Sequence, residues 1–305
     1  MATVHCLGVL VVDALSGPLP QYPVPGVTTQ VNTRSIKFLA GGGAANSGSA
    51  LGQLGVSAAV FSKVGADSNG KFLCSELKRN GVDVSQIKES AQESTPFTFV
   101  GIHPGGDRTF IHTPGCNLTM SVADVDLEAL YACKFLLYQD MWVLPKLDGP
   151  SAPGILAEAQ KRGVLTLVDE CYGLGPDRPV FEAVLPYCDV ALPSYDDMRI
   201  LYPGLEPASV AACLREKGAR RVVLKLGPDG CLVVDSKRAV RLDSVATKIV
   251  DTTGAGDCFD AGFIAGLVHG LSDVDAAKVG NLTAAACVQN VGGAVGIPKY
   301  DTLKI

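Results

Sequence analysis

Short, unbroken runs of apolar and β-branched residues recur along this chain, with helix-patterned segments between them. The clearest runs are VHCLGVLVV from Val4, AAVFSKVG from Ala58, KFLLYQ from Lys134, VLTLVDE from Val164, DVALPS from Asp189 and RVVLKLG from Arg221. A strand with one wet face alternates apolar and polar side chains, so runs without alternation belong to strands covered on both faces. AANSGSALGQLG, NGKFLCSELKRNG, APGILAEAQKRG and ASVAACLREKGA supply the covering helices, and several end in glycine, a usual helix stop. Strand and helix in alternation predict an α/β fold: a doubly wound, mainly parallel sheet with helices on both faces. The 305 residues would fill two average domains or one large α/β domain with an addition. With no repeat and no low-complexity linker, the expectation is a single domain over 1–305.

Two stretches break the rhythm. SGPLPQYPVPGVTTQVNTRSIKF carries four prolines and alternates towards its end, and TPFTFVGIHPGGDRTFIHT reads as a β-hairpin around PGGD. Together they predict a small antiparallel sheet, a β lid over 14–38 and 96–114, covering one end of the main sheet. A decorative hairpin is the plainer alternative, but long excursions from a compact sheet are disproportionately functional.

The formal net charge of −5 and a pI of about 5.4 argue against a nucleic-acid partner. The first apolar run has no basic leader and ends at Asp13, which fits a buried strand better than a signal peptide. AGFIAGLVHG is too short and too rich in glycine to span a bilayer, so no membrane partner is expected. Ten scattered cysteines without a CxxC pair read as reduced thiols of a cytoplasmic protein. The four histidines do not cluster with them at zinc-ligand spacing.

Four segments carry candidate chemistry. DTTGAGDCFDAGF, from Asp251, follows ATKIV, and the region reads as strand, tight turn, helix. Gly254, Ala255 and Gly256 let backbone N–H groups point one way, and the helix start adds unpaired N–H groups and a positive dipole end. That is an anion pocket without a P-loop lysine. Asp257 falls in the first helical turn, where acidic residues often serve only as caps. A carboxylate beside a phosphate site repels its ligand unless it does something there, and taking a proton from an attacking hydroxyl is such a use. In AGGGAANSGSALGQLG, Gly41, Gly42 and Gly43 permit close approach of a ligand, and Asn46 projects from a helix start, able to donate and accept. Tight helix packing is the ordinary reading of those small residues. Asp13, at the carboxyl end of the first run, sits where doubly wound sheets bind ligands, or else caps a turn. KLGPDGCLV places Gly227 and Gly230 around a turn between two strands.

These segments, in this order, resemble the ribokinase (PfkB-type) carbohydrate kinase family over nearly the whole chain, with DTTGAGD as the most specific element. The resemblance implies a ribokinase-like fold and an ATP-dependent kinase acting on a hydroxymethyl group of a sugar or sugar-like substrate, with a homodimer formed through the lid. It implies that Asp257 is the catalytic base and that Gly254, Ala255 and Gly256 form the anion hole. Asp13, Gly42 with its neighbour Gly43, and Asn46 match the sugar-binding positions. Lys225, Gly227 and Gly230 match the nucleotide turn, and Asn281 lies where the family contacts adenine. Asp251 and Thr253 match ligands of a monovalent cation, K+, with NVGGAVGIP closing that site. In one place the chain departs from the pattern. Where the family often carries Asn-x-x-Glu for Mg2+, PSYDDM puts Ser194 for the Asn and Asp197 for the Glu, a modified metal site that acts through water if Asp197 is too short.

A nucleoside kinase of the same fold is the nearest competing expectation, because Phe99, Phe110 and His112 on the hairpin offer rings to a base. A catalytically weak sugar-binding or regulatory protein is another, motivated by Ser194 and Asp197. A nicotinamide dehydrogenase needs a GxGxxG turn after a strand, and CLGVLVVDALSG has none. Arg108, just after PGGD, is expected to be solvated or to reach an acidic substrate group.

Overall fold

The unbroken apolar runs fold as strands hidden on both faces. The computed structural model describes residues 2–21, 26, 28–103, 108–171, 175–246 and 248–304. In chain order the regular elements begin with β1 (Val4–Leu7), β2 (Val11–Gly17), β3 (Ser35–Gly41), α1 (Gly43–Leu54), β4 (Ala58–Gly65), α2 (Ser68–Arg79) and β5 (Ile87–Ser90). There follow β6 (Phe97–Ile102), β7 (Arg108–Thr113), α3 (Leu127–Leu130), β8 (Phe135–Met141), α4 (Asp148–Lys161), β9 (Leu165–Glu170) and α5 (Arg178–Val184). The last are β10 (Val190–Ala191), α6 (Tyr195–Leu201), α7 (Pro207–Glu216), β11 (Val222–Lys225), β12 (Cys231–Val234), β13 (Ala239–Leu242), α8 (Ala255–Val268) and α9 (Asp273–Cys287).

Nine strands form the main sheet in the order β13-β12-β11-β10-β9-β8-β1-β4-β5. Pairing is parallel from β5 through β11 and antiparallel at the β11–β12–β13 edge. All eight residues of β4 are buried, as an unbroken run requires. One core layer lies under α4, α5 and α7, with Leu7, Tyr138, Leu156, Phe181 and Leu214. The other lies under α1, α2, α8 and α9, with Leu51, Val60, Leu73, Phe263 and Ile264. No helix among the described residues is long and apolar enough to cross a membrane.

The second sheet has the order β3-β2-β6-β7. The pairs β3–β2 and β6–β7 are antiparallel, and a parallel β2–β6 pair joins them. The β6–β7 pairing is the expected hairpin, while its PGGD turn, and Pro23 and Pro25 of the first excursion, lie outside the described residues.

Two expectations are corrected. The described residues of ATKIV, 246 and 248–250, form no strand before α8. The run from Val4 is not a single strand: β1 stops at Leu7, and the chain enters the second sheet as β2. The Val9 amide donates to the Asp140 carboxylate at 2.8 Å instead of continuing the ladder. A side chain at Gly8 would meet the same carboxylate at 2.7 Å. Asp13 is therefore carried by β2 of the second sheet, paired with Leu39 and Thr98, and not by the end of a main-sheet strand.

Helices α8 and α9 touch through glycines. A Cβ at Gly266 would lie 2.7 Å from the Ala276 backbone, and one at Gly280 would lie 2.9 Å from the Phe259 ring. Gly154 in α4 faces open space, with nothing within 4 Å of the position of a Cβ. Helix propensity alone favours Ala over Gly by about 1 kcal/mol, whereas overpacking costs about 1–3 kcal/mol. Gly154→Ala should therefore raise the denaturant midpoint and Gly266→Ala should lower it. Equal gains at both positions would contradict the close α8–α9 contact.

Candidate active site

A cavity of about 720 Å³ opens at the carboxyl ends of β8, β9 and β11, between the second sheet and the start of α8. Asp13, Gly42, Gly43 and Asn46 line it together with Gly254, Ala255, Gly256 and Asp257. Asp197, Lys225, Gly227, Gly230, Asn281 and Thr253 complete the set of sequence-derived candidates at its wall. Asp251 is the exception: it lies behind the turn and is buried.

Gly254 caps α8 with φ 71°, a left-handed conformation that glycine adopts without strain. The Ala255 amide is committed to the Thr252 carbonyl at 3.2 Å. The amides of Gly256 and Asp257 fall in the first turn, where a helix offers no internal acceptor. The carboxylate of Asp257 accepts from Asn46 Nδ2 at 2.8 Å and from Gln139 Nε2 at 3.4 Å. Gln139 also donates to the Ser47 hydroxyl at 2.8 Å, and that hydroxyl donates to the Asp257 carbonyl at 3.0 Å. Burial, then the charge of Asp169, pushes the Asp257 carboxyl up to about 6; the Asn46 bond and Lys225 pull it partly back. A carboxylate titrating there suits a general base working near neutrality.

Burial also raises Asp13 to about 6, opposed by its hydrogen bond with Thr98. Its side chain lies against Gly41, where any Cβ would collide with it. Asp140 at the cavity wall and the buried Asp260 escaped the sequence reading. Asp140, with φ 60° at the end of β8, accepts from the Val9 amide at 2.8 Å and the Gly43 amide at 3.0 Å. Desolvation, then the charge of Asp257, raises it to about 8. Asp260 is the other: it is fully buried in α8, in a position that reads as helix packing.

Lys225 does not stand free for a nucleotide. Its ammonium sits 2.8 Å from Asp169 Oδ1 and 3.2 Å from Asp260 Oδ1. Desolvation opposes its charge, but these two carboxylates and Glu170 hold its pKa above the usual range. Asn281 donates to the Asp243 carbonyl at 3.1 Å, which turns its amide nitrogen towards the β13 end. Gly227 and Gly230 border the turn between β11 and β12, with φ 59° and 84°.

At the modified metal position, Glu170 Oε1 accepts from the Ser194 amide at 2.8 Å. Glu170 Oε2 is buried with no partner. Burial, then Asp169, raises both Glu170 and its neighbour at the cavity wall, Asp197. No cluster of three or more protein metal ligands occurs among the described residues. An orphaned carboxylate oxygen near a second carboxylate fits Mg2+, which is usually held by one or two carboxylates together with phosphates and water. The acidic pair closing VLTLVDE was the visible signal for Glu170.

Arg108 is not solvated as expected. It donates through Nη2 to Asp251 Oδ1 at 2.8 Å and through Nη1 to Thr253 Oγ1 at 2.9 Å. Asp251 also accepts from the Thr253 amide at 2.9 Å and the Gly292 amide at 3.0 Å. The position expected to hold K+ thus receives a side-chain cation and two amides, an arrangement that does not fit a metal ion.

A family profile described as pfkB family carbohydrate kinase matches residues 8–300. An uncharacterized sugar kinase of Archaeoglobus fulgidus is 29% identical over 259 residues, which is 82% of this chain and 98% of that protein. Arabidopsis thaliana ribokinase, solved with ribose and ATP, superposes with a TM-score of 0.87 at 23% identity, covering 99% of this chain and 97% of that one. A candidate ribokinase II of E. coli, solved with ATP and Mg2+, gives a TM-score of 0.83 at 22% identity over the same shares. The match therefore extends well beyond the DTTGAGD turn, through both sheets and both helical layers: this chain belongs to the pfkB family of carbohydrate kinases, phosphotransferases with an alcohol group as acceptor.

Proposed function

We propose that the protein transfers the γ-phosphoryl group of ATP to a hydroxymethyl group of a sugar or sugar-like molecule, with Asp257 as general base. The observation that carries this reading is the Asp257 carboxylate: it stands in the first turn of α8, at the cavity wall, oriented by Asn46 at 2.8 Å. Asp13 and Asn46 grip substrate hydroxyls. The attacking hydroxyl gives its proton to Asp257. The amides of Gly256 and Asp257 and the dipole of α8 stabilise charge on the transferring group. The Lys225–Asp169–Asp260 cluster acts as a fixed field under the turn. The Gly227–Gly230 turn and Asn281 border the nucleotide. Glu170 and Asp197 hold Mg2+, which supplies positive charge against the phosphates when bound. The second sheet serves as a lid that excludes water from the transfer.

A nucleoside acceptor is the second reading. Asp13 pairs with Thr98 and Thr98 with His112, so these share one face of the lid with Phe110, two residues away. Phe110 is 62% exposed there, a ring available to stack on a base. His112 is tied to the Thr98 hydroxyl at 2.9 Å. A panel of pentoses, hexoses, keto-sugar acids and nucleosides with ATP and Mg2+ separates the readings. Phosphorylation of nucleosides alone would replace the sugar reading, and binding without ADP formation throughout would favour a regulatory protein. The ten unpaired cysteines and the need for ATP fit a cytoplasmic setting.

The lid also offers a pairing surface. Phe38, Ala14, Phe99 and Ile111 form one row across its four strands. Phe38 is 55% exposed, Ile111 66%, and Ile36 on the same face 52%. A second copy of the chain covers this apolar face in the proposed homodimer.

Three outcomes are expected. Asp257→Asn should lower kcat by about 10²–10⁴-fold, the usual worth of a general base, while ATP-analogue affinity measured by calorimetry is retained; near-normal turnover would remove Asp257 from the role. Only the carboxylate form accepts a proton, and it prevails above its pKa of about 6. The kcat/KM profile should therefore be flat above that pH and fall at least about tenfold per unit below it, as Asp13 titrates in the same range. In sedimentation, Phe38→Glu combined with Ile111→Glu should convert a dimer into a folded monomer, whereas a monomeric parent protein would exclude lid pairing.

A further inference from the structure

We propose that Arg108 is a built-in cation: its guanidinium takes the place of a bound monovalent ion behind the Gly254–Gly256 turn and ties that turn to the second sheet, so the protein works without K+. The proposal deepens the kinase reading of the site and rests on it for its catalytic arm.

The argument begins with Asp251, which is 4% exposed. A buried carboxylate persists only if its charge is compensated. Here the compensation comes from three segments of the chain. Arg108 and the Thr253 amide both donate to Oδ1, and the Gly292 amide donates to Oδ2. Burial alone would raise Asp251, yet these bonds outweigh it and hold the group below the usual carboxylate range. An alkali ion needs oxygen lone pairs, and three N–H donors occupy most of those that Asp251 offers. A guanidinium meets the same need for positive charge and is never deprotonated. Its planar fork also bonds two acceptors at once, Asp251 Oδ1 at 2.8 Å and Thr253 Oγ1 at 2.9 Å. The side chain is 26% exposed, so the pair is largely withdrawn from water.

The location gives the pair its role. Thr253 immediately precedes Gly254, the left-handed cap of α8. Gly292 is followed by Gly293, which packs so closely on Gly254 that a Cβ there would sit 2.6 Å away. The ion pair therefore fixes the turn from both sides. Arg108 is also the first residue of β7, paired with Ile102 of β6. The second sheet and the phosphate-facing amides are joined by one side chain, which makes Arg108 a positioning residue for the transfer.

The test compares the wild-type protein, Arg108→Ala and Arg108→Lys in potassium, sodium and choline chloride at equal ionic strength. Two readouts are taken: ADP formation with the best acceptor from the panel, and the thermal midpoint without substrate. The wild type should show the same turnover and the same Tm in potassium and choline. Arg108→Ala should lose about 10²-fold in choline, as a misplaced turn would cause. It should recover part of that loss in potassium and show a Tm that potassium raises and choline does not. Arg108→Lys keeps a positive charge at the same place and should stay insensitive to potassium in melting. A wild type that needs potassium overturns the proposal, as does an Arg108→Ala protein that responds alike to potassium and choline. The melting arm needs no acceptor, so a protein that phosphorylates nothing in the panel would defeat the kinase reading and still leave the cation assignment measurable. If Arg108→Ala does not fold, the wild-type and Arg108→Lys comparisons decide.

Discussion

The carboxylate of Asp140 is the point on which the site's construction depends. It is buried at the end of β8 and takes one amide from Val9 and one from Gly43. The first bond ends β1 and sends the chain into the second sheet as β2, which carries Asp13. The second fixes the opening of α1, and Asn46, one turn along, then reaches Asp257. Three candidate site positions thus derive their placement from one acid. Its own pKa, pushed up to about 8, records the cost of desolvation and of a negative neighbour in Asp257.

The cavity floor is rich in acid. Asp140, Asp169, Glu170, Asp197 and Asp257 line it, with Lys225 as their cationic companion. Such a floor does not attract phosphate by side-chain charge. Binding of a nucleotide must rely on backbone amides, the positive end of α8 and a divalent ion, all of which act over short range in a low-dielectric site. The same acids suit the other reactant, since carboxylates accept hydrogen bonds from sugar hydroxyls. In the proposed function such a field would sort the two ligands to different walls: phosphate to the turn before Asp257, hydroxyls to Asp13, Asn46 and Asp257.

Much of this was legible in the sequence because it is local. Unbroken runs such as AAVFSKVG report burial on both faces, and a glycine turn entering a helix reports a left-handed helix cap within a few residues. What escaped is non-local. The break of the first run at Gly8 is imposed by Asp140, 131 residues from Val9. The Arg108–Asp251 pair spans 143 positions. Lys225 in KLGPDG looks like an arm for a nucleotide until Asp169 and the buried Asp260 are placed beside it. Spacing along a chain cannot display which charges neutralise each other across a fold. Glu170 stands between these cases: its position at a strand end was visible, while its unpartnered oxygen was not.

The glycine contacts between α8 and α9 have a consequence for how such a protein changes over generations. The helix that bears Asp257 is held close to its neighbour, and the second sheet is joined to the same layer by Val12, which is packed in its core, and by the Arg108–Asp251 pair. Change over generations is therefore best tolerated at solvent-facing positions of the second sheet such as Phe110, away from both that packing and the ion pair.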